Sequence, residues 1–119
     1  MKKGKKLHVT KELPIYRIGI TYTNSLDEYN RLVKLRGGQQ VMNAGSTYQE
    51  VTETGQILIL IGVFDKSVNT FAHECFHATM FVAYHLGLDV NLETHNEHLA
   101  YINGHLFEMF FDEFRSSQG

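Results

Sequence analysis

Three observations predict an α+β fold. Segments 15–22 and 57–64 are rich in β-branched and aromatic residues, which suit a pleated, half-buried surface. Apolar residues recur at helical spacing over 26–35, 67–86 and 94–114. The order is strand, helix, two strands, then two helices, with no internal repeat and no low-complexity linker, so strands and helices belong to one unit.

Each element has its own justification. Segment 15–22 follows Pro14 and makes a first strand. Asn24 or Ser25 can cap a helix over 26–35, where Leu26, Tyr29, Leu32, Val33 and Leu35 form the stripe and Gly37-Gly38 stops it. Segment 46–52 alternates as a strand, and Glu53-Thr54-Gly55-Gln56 supplies turn chemistry before 57–64, which predicts a hairpin. The second arm is apolar on both faces and belongs at the centre of the sheet, whereas Tyr48-Gln49-Glu50-Val51 is mixed and belongs near an edge. The helix over 67–86 is apolar almost all round, which predicts a buried central element ending at Gly87. Leu99, Ile102, Leu106, Met109, Phe110 and Phe114 give the last helix its core stripe.

The 119 residues, 43% of them hydrophobic, fit one domain with a real core. Residues 1–12 read as a flexible basic tail and residues 115–119 as a frayed terminus. A formal charge of −2 and lysines confined mostly to the first six residues argue against nucleic acid as a partner, because neutralising phosphates takes a basic face. No segment has membrane-spanning length or signal-peptide character, so no membrane partner is expected and the expected location is the cytoplasm. A lone cysteine, Cys75, agrees with a reducing compartment.

The chemistry is concentrated in His73-Glu74-Cys75-Phe76-His77, an HExxH sequence inside an apolar run. Residues four apart share a helix face, so His73 and His77 can offer two imidazole nitrogens to one Zn²⁺. Glu74 sits one residue round, placed to accept a proton from a metal-bound water. Three ionisable groups among Phe, Met, Val and Ala would be costly without such a partner. Cys75 points roughly 200° away from His73 and reads as a small core residue, not a ligand.

A catalytic zinc has three protein ligands and one open position. His85 lies two turns beyond His77 and roughly 80° round, too far to share the ion. Met80 and Ala83 occupy the positions where a metzincin has its glycine and third histidine, which excludes that class. The candidates left are His95, Glu97 and His98 in Thr94-His95-Asn96-Glu97-His98. The same stretch is a capping box, in which Glu97 would reach back to the Thr94 N–H.

His73, Glu74 and His77, followed by Glu97 with Ala100 and Tyr101, resemble the gluzincin group of zinc metallopeptidases. The resemblance implies a zincin-like fold, a small twisted sheet on an active-site helix with a following helix that carries the third ligand. It is also similar to a minimal form of that fold, of the small phage-encoded kind. It implies His73, His77 and Glu97 as zinc ligands and a peptide or protein as substrate, bound as an added strand near 48–51. Ala100 and Gly104, both small, would let the two helices approach closely. In the implied mechanism Glu74 activates the water, and Tyr101, His98, His95 or Tyr84 donates to the oxyanion. The competing expectation is a non-catalytic protein-binding module with a structural or vestigial metal site. Neither expectation specifies the oligomeric state.

Overall fold

A computed structural model describes residues 7–13, 18–88 and 96–116. The elements are β1 (Val9–Leu13), β2 (Ile18–Thr23), α1 (Leu26–Leu35), β3 (Gly45–Val51), β4 (Ile57–Val63), α2 (Val68–His85) and α3 (Asn96–Ser116). The four strands form one mixed sheet in the order β1-β2-β4-β3. β2 runs parallel to β4, while β1 and β3 are antiparallel to their neighbours.

The alternation of side chains along β4 explains the layering. Ile59, Ile61 and Val63 join Ile18, Ile20 and Tyr22 of β2 against Phe71, Cys75, Ala78 and Val82 of α2 and Ile102, Leu106, Phe110 and Phe114 of α3. Leu60 points the other way, into a smaller core with Tyr29, Leu32 and Val33 of α1. Thus α1 covers one face of the sheet, and α2 with α3 covers the other. As expected, β4 is central and apolar on both sides, and β3 is an edge. Tyr22 is packed between α2 and α3, edge-on to Phe71 and stacked on Phe110 at 5.5 Å. Gly62 is required where α1 meets β4, since an added Cβ would lie 2.6 Å from Tyr29 Cδ2.

Local signals set the helix ends. Ser25 caps α1 by accepting from the Glu28 N–H, and Gly37 leaves the helix at φ 82°. Ser67 caps α2 by accepting from the Thr70 N–H, and Gly87 ends it at φ 73°. No described helix is long and apolar enough to cross a membrane.

Four expectations are revised. Residues 9–12 are not a flexible tail but most of β1, with Leu13 buried and Lys11 bonded from Nζ to the Met109 carbonyl (2.7 Å) and to Glu113 (3.1 Å). The Lys11 ammonium also lies over the Phe110 ring, 5.4 Å from its centroid, so a charged residue serves as an inward position of a strand. α2 is buried on one face only, with Val68, Phe76 and Tyr84 exposed beside His73 and His77. Ala100 and Gly104 face outward and nothing lies within 4 Å of a Cβ built on Gly104, so α3 packs through its larger side chains instead. Arg115 and Ser116 continue α3. The expected strand residues 15–17 and the helix start and capping box at Thr94 lie outside the described residues.

Candidate metal centre

The turn before α2 fixes the start of the helix at Val68, five residues ahead of the motif. Asp65 accepts from the Ser67 N–H through Oδ1 (3.0 Å) and from the Thr70 hydroxyl through Oδ2 (2.8 Å). From that start, His73 and His77 fall on one exposed face, and their Nε2 atoms stand 3.1 Å apart. Two lone pairs at that distance repel each other unless a proton or a cation lies between them. Two nitrogens at about 2.0–2.1 Å from one tetrahedral ion are separated by about 3.3 Å, so the pair fits one edge of a zinc coordination shell. Two neutral imidazoles are also the donor type that zinc favours.

Glu74, a further 100° round the helix, turns towards β3 at the wall of the same face. It is only 5% exposed, although it neighbours two exposed histidines. Its partner comes from β3, where the Thr47 hydroxyl donates to Glu74 Oε1 at 2.6 Å and also lies 3.2 Å from the Glu74 carbonyl oxygen. The strand comes this close because residue 45 is glycine. A Cβ there would sit 2.6 Å from Thr70 Cγ2 and 3.1 Å from Glu74 Cγ. Asn43, Gly45, Ser46, Thr47, His73, Glu74, His77 and Phe81 line an open cleft of about 330 Å³. Further along α2, His85 Nε2 meets Gln49 Oε1 at 2.6 Å, a tie from the helix end to β3.

Cys75 is fully buried, and burial pushes its thiol up to about 12, as fits a core residue and not a ligand. Tyr101 is half exposed, stacks on His105 at 5.6 Å and does not line the cleft. Glu97 is exposed in the first turn of α3. Its outer stripe continues through Ala100, Tyr101, Gly104 and Glu108, all exposed, opposite the buried stripe of Ile102 and Leu106. Among the described residues no three His, Cys, Asp or Glu side chains form a group able to hold a metal, so the structure does not bring Glu97 or His98 to the pair. His95 lies outside the described residues.

Sequence reasoning did not single out Thr47 or Gly45. A signal was present: the period of two along β3 sets Gly45, Thr47 and Gln49 on one face, and a glycine followed two residues later by a small hydroxyl marks a place where another backbone comes close. No family model, curated protein or solved structure matches the chain.

Proposed function

We propose that the chain is a zinc-dependent metallopeptidase with a minimal zincin-like arrangement. The observation that carries the reading is the buried carboxylate of Glu74 lining the same open cleft as the converging His73 and His77 nitrogens. A purely structural ion has no use for such a carboxylate and takes four protein ligands.

His73 and His77 would hold the ion, which when bound supplies a Lewis acid and lowers the pKa of a coordinated water to about 7. Glu74 takes the proton of the attacking water and returns it to the leaving amine. The resemblance assigns the third ligand to Glu97, with His98 and His95 as substitutes. Peptide substrate pairs with the free edge of β3. The Ala44 carbonyl accepts from the Phe64 N–H and the Thr52 N–H donates to the Gln56 carbonyl, so Ser46, Tyr48 and Glu50 pair inward to β4. The backbone groups of Gly45, Thr47 and Gln49 therefore point to the outer edge, and their side chains face α2. A strand added there would pass along the cleft.

The outward position of Glu97 favours a second reading, a non-catalytic binding module with a vestigial metal site. Elemental analysis together with a cleavage assay separates the two. One zinc per chain, with denatured casein cleaved by wild type and not by Glu74→Gln, supports the peptidase. Zinc at one per chain without cleavage supports the module, and no zinc even in excess metal overturns the peptidase and leaves the module.

A further inference from the structure

We infer that Thr47 is the positioning residue of Glu74: its hydroxyl commits Oε1 of the carboxylate to the sheet and leaves the other oxygen to serve the histidine pair. The inference rests on the peptidase reading and adds a residue that lies outside the HExxH motif, on a different element.

A glutamate side chain has three rotatable bonds, and a base that must meet a proton within hydrogen-bond distance needs those bonds fixed. Within α2 the motif itself offers nothing to fix them, since His73 and His77 turn outward and Cys75 turns into the core. β3 provides both constraints. The missing side chain of Gly45 lets the Glu74 stem lie against the strand backbone, and Thr47 Oγ1 holds the head at 2.6 Å. A short bond from a hydroxyl to an ionised acceptor is about twice as strong as its neutral counterpart, so it competes well with rotamer freedom.

The hydroxyl has a second acceptor within reach, the Glu74 carbonyl at 3.2 Å. A valine of the same shape would leave both of these buried oxygens without the hydroxyl donor.

The test compares wild type, Thr47→Val and Thr47→Ser as full chains loaded with zinc, with denatured casein as substrate. Thr47→Val is expected to keep one zinc per chain, to lower kcat about 10- to 100-fold and to change KM by less than about threefold. Thr47→Ser is expected to restore kcat to within about threefold of wild type. A merely structural threonine would lower stability or zinc content without this kcat-selective loss and serine rescue. Unchanged kcat in Thr47→Val, or equal losses in both variants, overturns the inference. Crystal structures of the metal-free proteins decide it independently of activity: a Glu74 carboxylate displaced in Thr47→Val and retained in Thr47→Ser supports positioning, and one unmoved in both overturns it. If wild type binds zinc and cleaves nothing, the peptidase reading fails, and the crystal structures still decide the role of Thr47.

Discussion

α2 and α3 pack on the same face of the sheet and against each other, yet they treat their polar residues differently. α2 ties its polar side chains to its neighbours: Thr70 to Asp65, Glu74 to Thr47, and His85 to Gln49. The α3 stripe that carries Glu97, Tyr101 and Glu108 faces outward. What separates them is the nearest backbone. α2 crosses an edge strand that Gly45 opens to close approach, whereas the buried stripe of α3, from Ile102 to Phe114, packs into the apolar core and its polar ties, to Thr79, Lys11 and Asn24, lie away from the Glu97 stripe. A spacing within one helix therefore becomes a site when a strand lies against it, and a spacing between two helices has no such guarantee.

The largest expected effect breaks the tied side of this comparison. His73→Ala or His77→Ala removes one of the converging nitrogens, and zinc content by elemental analysis should drop from one per chain to near zero with the fold retained, because both side chains are exposed. Glu74→Gln should keep the metal and lower kcat on denatured casein by about 10²- to 10⁴-fold, the usual weight of a general base. Glu97→Ala, with His98→Ala beside it, sharpens the other side: if Glu97 is the third ligand, zinc affinity measured by chelator competition falls at least about tenfold in Glu97→Ala, with chemical stability within about 0.5 kcal/mol of wild type, because the side chain is exposed. An unchanged affinity would remove Glu97 from the ligand set. Gly45→Ala places a methyl group against Thr70 and Glu74 and should cost about 1–3 kcal/mol in urea denaturation.

The smallest effect concerns the opposite face of the sheet. Glu28 is buried on α1, where two bonds from Arg31, at 2.8 Å each, and one from His8, at 2.6 Å, hold its carboxyl down to about 2 from an ordinary 4.5. A carboxyl lowered on folding stabilises the native state above its unfolded pKa. That contribution should therefore be complete above about pH 4.5 and disappear as the pH falls to about 2. Urea titrations in that window should show a shallower decline for Glu28→Gln than for wild type.

Much of this is legible in the residues. The bounds of α1, the hairpin of β3 and β4, the central place of β4 and the shared face of His73 and His77 depend on neighbours in sequence, and each is found as expected. β1 is hidden because Lys11 and Glu12 spoil its alternation, and Lys11 becomes an inward residue only through the Phe110 ring and the end of α3, about a hundred positions away. The open face of α2 is hidden because Phe76 and Tyr84 are apolar and yet exposed. The third ligand depends on the path between two helices and not on a period, so spacing alone leaves Glu97, His95 and His98 unranked. Thr47 is a contact across 27 positions, visible only once β3 is laid against α2.

The burial of Cys75 has a practical consequence for all of these measurements. An exposed thiol two residues from each of the proposed ligands His73 and His77 would compete for a metal, form mixed disulfides in air and demand a reductant that itself strips zinc. Here the sulfur is fully buried among α2, α3 and the sheet and is kept in its unreactive protonated form. Metal titrations of the proposed site are therefore expected to run in air without thiol reagents, with no loss of free thiol when the folded protein is assayed with a thiol probe.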